Sequence, residues 1–172
     1  MAGLDLQAIL SGQPATPSAP TATASAPSYS AEDIQAMVRQ AAAQYGIDPD
    51  VAVRWAQQES SFDPQAKSKK GALGVLQLMP ATAQAYGVKD PTDPAQNIDG
   101  GMRYLADLRK KYGDDAKAFA AYNAGPDAVD KAGGVPNIPE TKNYVQTILG
   151  NPTSNASGSA AAHWKSGFRG SS

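Results

Sequence analysis

The chain has 172 residues, and its 15 Lys and Arg against 16 Asp and Glu leave a formal net charge of −1. This balance argues against non-specific nucleic-acid binding as the main role. Cysteine is absent, which excludes disulfides, thiolate metal sites and cysteine nucleophiles. A single histidine nearly excludes a Ser-His-Asp triad or a histidine-rich metal site. No apolar run approaches the roughly 20 residues that cross a membrane.

Composition divides the chain into one domain and two flanking segments. Residues 11–28 are almost entirely Pro, Ala, Ser and Thr, and residues 151–172 are rich in Gly, Ser, Ala and Asn. Such segments bury too little apolar surface to offset the entropy of ordering. We therefore expect a flexible segment and linker over 1–28, a folded domain over 29–150 and a flexible tail over 151–172. The first ten residues lack the basic region and long apolar run of a secretory signal, so we expect no signal peptide.

Helical patterns follow one another through the central segment. Ser30 can cap a first helix, whose apolar residues recur at intervals of three and four from Ile34 to Tyr45. Asp48 followed by Pro49 is a typical start for a second helix. Further helices are predicted over 97–112, 115–123 and 139–149. Strand signals are nearly absent, so we expect a mainly α domain with at most a minor β element.

Glu59 occupies an unusual position on the second predicted helix. Ala52, Trp55 and Ala56 precede it at helical spacing, so Glu59 continues the apolar face. Burial there would disfavour the charged carboxylate and raise its pKa, as a general acid requires. Helix position alone favours a plainer interpretation, in which Glu59 ends the helix and reaches solvent.

Four sequence blocks carry a family resemblance. The run from Glu59 to Pro80 reads ESSFDPQAKSKKGALGVLQLMP. It resembles the first motif of lytic transglycosylases of the soluble-lytic-transglycosylase type, glycoside hydrolase family 23: Glu-Ser, an aromatic residue, Pro, Ser, Gly-Ala-x-Gly and Gln-x-Met-Pro. The other blocks are Asn97-Ile98 with Gly101 and Tyr104-Leu105, Ala-Tyr-Asn-Ala-Gly-Pro at 121–126, and Pro-Glu-Thr-x-x-Tyr-Val at 139–145. Blocks in this order over about 90 residues are far more specific than a lone motif.

One small departure from the family pattern and one difference in charge are visible. Val75-Leu76 stands where the family usually has Leu-Met, which exchanges apolar residues and should leave the chemistry intact. The pair Lys69-Lys70 makes the intervening loop more basic than in many relatives.

The resemblance implies a lysozyme-like helical fold and a reaction on peptidoglycan. Family members cleave the β-1,4 bond between N-acetylmuramic acid and N-acetylglucosamine without water, which leaves a 1,6-anhydro end. Glu59 would be the single acid and base, and the 2-acetamido group of the substrate would replace the second carboxylate that glycosidases usually need.

The resemblance also implies a set of substrate-binding residues. Ser68 and Gln77 would hydrogen-bond sugars, although both could instead satisfy their own loop. Met79 would enter the sugar cleft or serve packing. Tyr122 would bond Glu59 or the acetamido carbonyl, or else lie in the core.

Three further residues belong to the same implied set. Asn123 is included, although a structural role in turning the chain is favoured. Glu140 would line the cleft and orient sugar or a tyrosine, or it would only stabilise the start of its helix. Tyr144 would share that wall or pack in the core, and Trp55 is expected to be a core residue.

The sequence is also compatible with other functions. A muramidase that admits water would share the fold and the acid, and a non-catalytic glycan-binding or assembly module is the second alternative. We expect action in the periplasm or cell envelope after delivery as a phage virion component, with a secretion-system enzyme as the alternative. The termini would contact other virion or secretion-machine proteins. Asp90, Asp93 and Asp99 lack the pattern of a calcium loop, so we expect no metal, and we expect no cofactor.

Overall fold

The structure is a computed structural model that describes residues 28–150. The predictions of a flexible segment and linker and of a flexible tail concern residues 1–28 and 151–172, which, apart from Ser28, lie outside the described residues. Within 28–150 the chain forms seven helices: α1 (Ala31–Gln44), α2 (Pro49–Ser60), α3 (Pro80–Ala85), α4 (Pro94–Tyr112), α5 (Asp115–Ala124), α6 (Pro126–Ala132) and α7 (Pro139–Leu149). Two isolated antiparallel bridges, Lys67 with Leu73 and Leu73 with Leu78, form the β element of this range. The expected mainly α fold is confirmed.

Side-chain caps mark where α1, α2, α4 and α5 begin. Ser30 and Asp33 form a capping box at α1, and Asp48 accepts hydrogen bonds from two backbone amides at the start of α2. The fourth helix begins three residues before the predicted start because Asp93 caps it and Pro94 takes its first position. The sequence analysis did not predict α3 and α6, since six or seven residues are too few to show a helical period.

The core lies between α1, α2, α4, α5 and α7. Trp55 of α2 is fully buried and packs edge-on against Phe119 of α5, with 5.7 Å between ring centroids. Four consecutive α5 residues, 118–121, are buried, so this helix is surrounded by the others. Helix α7 packs against both α2 and α5, and the Trp55 ring joins α2 to α5. These three helices border the site described below.

The segment between α2 and α3 is held by a buried asparagine of α4. Asn97 is fully buried; its Oδ1 accepts from the Leu76 amide at 2.8 Å, and its Nδ2 donates to the carbonyls of Leu73 and Pro91 at 2.9 Å each. Gly74 has φ of 78°, and a Cβ there would lie 2.4 Å from the Asn97 Nδ2. Glycine is therefore required where this segment passes over Asn97.

No helix within residues 28–150 is both long enough and apolar enough to span a bilayer.

Candidate active site

An open cleft of about 470 Å³ runs between the 67–79 segment and the ends of α5 and α7. All eight residues that the sequence analysis proposed for the site line this cleft: Glu59, Ser68, Gln77, Met79, Tyr122, Asn123, Glu140 and Tyr144. The cleft thus brings together residues of α2, α5, α7 and the 67–79 segment. Their individual roles stay predictions.

Glu59 lies in the last turn of α2, where the chain reverses direction. Ser61 and Phe62 both adopt left-handed conformations, with φ of 56° and 66°, and these end the helix. The Ser60 hydroxyl donates to the Val75 carbonyl oxygen at 2.8 Å, which ties the helix end to the loop. The end of the helix and its hydrogen bond to the loop therefore fix the position of Glu59.

The surroundings of Glu59 favour its protonated form. Burial raises the pKa of its carboxyl group from 4.5 to about 7, and hydrogen bonds from Tyr144 and Trp55 oppose this rise. Glu59 can therefore hold a proton near neutral pH, as a general acid must.

Both hydrogen-bond donors reach the same oxygen of Glu59. The Tyr144 hydroxyl donates to Oε1, and so does the Trp55 indole Nε1 at 3.2 Å. In a protonated carboxyl group the oxygen that accepts hydrogen bonds is the carbonyl oxygen, and the other oxygen carries the proton. The acidic proton is therefore assigned to Oε2.

The two cleft tyrosines have different partners. Tyr144, and not Tyr122, donates to Glu59. The Tyr122 hydroxyl donates to the Leu76 carbonyl at 2.8 Å, and its ring packs edge-on against Trp55 at 4.9 Å. Burial raises the pKa of both tyrosines well above 10. Both hydroxyls are therefore neutral donors at any pH at which Glu59 titrates.

Ser68 and Gln77 make hydrogen bonds within their own loop. The Ser68 hydroxyl accepts from the Ala72 amide at 3.0 Å. The Gln77 Nε2 donates to the carbonyls of Ala66 and Gly74, at 3.1 and 2.9 Å, and Gln77 has a left-handed φ of 48°. The Ser68 hydroxyl proton and the Gln77 Oε1 are the groups left to contact a ligand.

The remaining predicted residues form the rim and the far wall. Met79 is 43% exposed, so a large apolar side chain stands open at the cleft. Asn123 accepts from the Thr141 hydroxyl at 2.9 Å, which joins α5 to α7. Glu140 lies exposed in the first turn of α7.

Sequence reasoning missed several residues of the site. Trp55 was expected only in the core, yet its indole N–H contacts Glu59. Its place four residues before Glu59 on one helix face was the available signal. Gln58, Asn143, Lys69 and Lys70 also line the cleft. Within residues 28–150 no three His, Cys, Asp or Glu side chains cluster so as to hold a metal ion.

The fold and the cleft define the class of protein: a helical enzyme domain built around one desolvated carboxyl group. Residues 36–145 match the family model of the transglycosylase SLT domain, and the chain belongs to that family.

Similar sequences include phage and bacterial transglycosylases. The chain is 39% identical over 111 residues to the transglycosylase of Enterobacteria phage PRD1, covering 64% of this chain and 40% of that protein. It is 48% identical over 81 residues to membrane-bound lytic murein transglycosylase F of Klebsiella pneumoniae, covering 43% of this chain and 16% of that protein. The chain therefore spans less than half the length of these curated relatives.

Solved structures show the same fold. An inactive mutant of lytic transglycosylase Slt from Pseudomonas aeruginosa aligns with a TM-score of 0.58 and 29% identity, over 67% of this chain and 22% of that one. The 70-kDa soluble lytic transglycosylase in complex with bulgecin A aligns with a TM-score of 0.58 and 26% identity, over 69% and 24%. The described domain thus has the lysozyme-like fold of this family.

Proposed function

We propose that this chain is a peptidoglycan lytic transglycosylase. It cleaves the β-1,4 bond between N-acetylmuramic acid and N-acetylglucosamine and leaves a 1,6-anhydromuramyl end. The observation that carries this proposal is Glu59, a desolvated carboxyl group with a pKa of about 7 at an open cleft in a transglycosylase SLT domain.

In the first step Glu59 acts as the acid. The proton on its Oε2 passes to the glycosidic oxygen as the bond from that oxygen to the muramyl C1 breaks. The 2-acetamido oxygen of the same muramyl residue forms a bond to C1 and so stabilises the positive charge that develops there. Trp55 and Tyr144, which donate to Oε1, stabilise the carboxylate that Glu59 becomes.

In the second step the Glu59 carboxylate acts as the base. It takes the proton of the muramyl C6 hydroxyl, whose oxygen attacks C1 and displaces the acetamido oxygen. The product is the 1,6-anhydro sugar, and Glu59 regains its proton for the next cycle. Because the substrate supplies its own nucleophile, a second carboxylate is unnecessary. Glu140, the other acidic side chain lining the cleft, serves to orient sugar.

The other cleft residues hold the glycan strand. Ser68 and Gln77 offer a hydroxyl proton and an amide oxygen to sugar hydroxyl and acetamido groups. The exposed Met79 side chain packs against a sugar ring, and Asn123 and Tyr144 line the opposite wall. Tyr122 supports the Leu76 carbonyl behind the acid.

The biological role is local opening of the bacterial cell wall, with the protein delivered as a phage virion component during DNA ejection. The similarity to the PRD1 transglycosylase supports this role. The similarity to bacterial murein transglycosylases makes remodelling by a secretion system the second candidate. Detection of the protein in purified virions by mass spectrometry would support the first role, and its detection in a secretion apparatus would contradict it.

Digestion of purified sacculi tests the reaction. Mass spectrometry of the released muropeptides should show products one water lighter than those of a muramidase. Glu59→Gln should release none, whereas Glu32→Gln, which alters an exposed glutamate of α1, should act as the unmodified protein does. Hydrated reducing ends would contradict the transglycosylase reaction in favour of a muramidase. Glycan binding without release by any variant would indicate a non-catalytic module.

A further inference from the structure

The cleft carries a pair of lysines that the reaction above does not use. Lys69 and Lys70 both line the cleft and are exposed at its rim. The Gly71 amide donates to the Ser68 carbonyl at 3.0 Å, so the two lysines take the corner positions of a β-turn. The Ser68 amide donates to the Ala72 carbonyl at 2.9 Å, and the Ala72 amide donates to the Ser68 hydroxyl at 3.0 Å. A closed turn thus presents two cations beside the glycan-binding cleft.

The charges of this turn are not neutralised by the domain. The ion pairs of residues 28–150 are Arg39–Asp50, Arg103–Asp99, Arg109–Asp115 and Lys111–Asp130, and none involves the turn. The acidic residues lining the cleft are Glu59, whose burial disfavours its charged form, and Glu140, on the opposite wall. Two ammonium groups are therefore available to an anionic ligand.

The chemistry of the substrate limits what that anion can be. Alternating N-acetylglucosamine and N-acetylmuramic acid contribute hydroxyl, ether and amide groups, all of them neutral. Carboxylates enter only through the lactyl group of the muramyl residue, either as the free lactyl acid or in the stem peptide attached to it. An ammonium pair at the rim thus matches the substituent of the strand and not its sugars.

We propose that Lys69 and Lys70 form a carboxylate-binding subsite for the lactyl substituent of a muramyl residue lying in the cleft. This inference rests on the proposed action on peptidoglycan. It assigns the lysines to recognition of substituted strands, and it leaves proton transfer to Glu59. Because the turn is closed by its own hydrogen bonds, it fixes where both lysine side chains leave the backbone at the edge of the cleft.

Binding to three glycans tests the subsite. The full chain carrying Glu59→Gln, which holds glycan uncleaved, is titrated with peptide-bearing glycan oligomers, the same oligomers stripped by an amidase to free lactyl acids, and neutral chitin oligomers. Adding Lys69→Gln and Lys70→Gln together should weaken binding of a carboxylate-bearing glycan about fivefold, as expected for two exposed ion pairs. Binding of chitin oligomers should change less than twofold. Weakening on peptide-bearing oligomers alone identifies the stem peptide, and weakening on stripped oligomers identifies the lactyl acid.

Two matched variants separate a site from general charge. Lys110→Gln with Lys131→Gln removes the same charge from exposed positions outside the cleft, and it should leave all three affinities unchanged. Lys69→Arg with Lys70→Arg keeps the charge and should keep the affinity. Equal weakening by the control pair, equal weakening on chitin oligomers, or no weakening at all would overturn the proposal.

A folding defect and a failure of the proposed reaction can both be recognised. Circular dichroism shows whether the Lys69→Gln, Lys70→Gln protein is folded. Should it be unfolded, the salt dependence of binding by the Glu59→Gln protein decides, because added salt should weaken binding to carboxylate-bearing glycans and not to chitin oligomers. Absence of that dependence would count against the subsite. None of these measurements needs cleavage, so the sacculus digestion judges the reaction separately.

Discussion

Replacing Trp55 by phenylalanine tests whether its indole N–H sets the acidity of Glu59. The substitution removes the donor that lies 3.2 Å from Glu59 Oε1 and keeps an aromatic ring in the core. A hydrogen bond to an ionised carboxylate contributes about 1 kcal/mol more than one to a neutral carboxyl group. Since 1.36 kcal/mol corresponds to one pH unit, the pKa of Glu59 should rise from about 7 by about 0.7.

The pH profile of the reaction measures this change. The first step needs protonated Glu59, so kcat/KM for muropeptide release should fall as pH rises through the pKa of Glu59. In Trp55→Phe that alkaline limb should lie about 0.7 pH unit higher than in the parent protein. Assays from about pH 5 to 9, below the melting temperature of each variant, locate the limb.

Phe119→Leu is the matched control for loss of packing. Phe119 is a buried aromatic residue that packs edge-on against Trp55, but it makes no hydrogen bond to Glu59. Both variants should lose stability, by about 1–3 kcal/mol each, because both reduce a buried aromatic side chain. Only Trp55→Phe should move the limb. A limb that stays in place, moves to lower pH, or moves equally in the control would refute the assigned role of the indole.

Three other variants give independent checks. The native state holds the Glu59 proton between about pH 4.5 and 7, where the unfolded chain has lost it, so native stability falls as pH rises through that range. Glu59→Gln should therefore gain stability relative to the parent by up to about 3 kcal/mol between about pH 4 and pH 8 in urea unfolding, and a difference independent of pH would contradict the raised pKa. Gly74→Ala should lose about 2 kcal/mol or more by thermal unfolding, because its Cβ would lie 2.2 Å from the Pro91 carbonyl oxygen at a positive φ; unchanged stability would show that the loop can shift. Tyr122→Phe should lose about 1–2 kcal/mol in urea unfolding, since it removes the donor to the Leu76 carbonyl, and a neutral effect would mean that water replaces the hydroxyl.

The sequence predicted the long helices because their signals are local. A cap such as Ser30 and an apolar stripe such as that from Ile34 to Tyr45 each depend on residues only a few positions apart. The start of α4 was misplaced because the apolar stripe was followed and the cap at Asp93 was not. The short helices α3 and α6 begin at prolines, but they have too few residues to show an apolar stripe.

The sequence predicted which residues line the site, but not which contacts these residues make with one another. Family motifs identified eight residues that the structure brings to one cleft. Which hydroxyl reaches Glu59 depends on how α5 and α7 pack against α2, so Tyr144 and Tyr122 could not be distinguished from sequence. Burial of Trp55 was predictable because Trp55 lies on the apolar face of α2. The direction of its N–H was not, because it depends on how the indole ring packs against Phe119 and Tyr122.

The hydrogen bond between Tyr144 and Glu59 joins residues 85 positions apart in the chain. Helix α2 carries Glu59, but α7 must pack against α2 before Tyr144 can reach the carboxyl group and help to exclude water from it. The acid thus depends on packing between distant parts of the chain, which is the kind of contact that forms slowly during folding. Helical structure without this packing leaves Glu59 an ordinary exposed glutamate. Recovery of enzymatic activity during refolding should accordingly never precede recovery of helical circular dichroism.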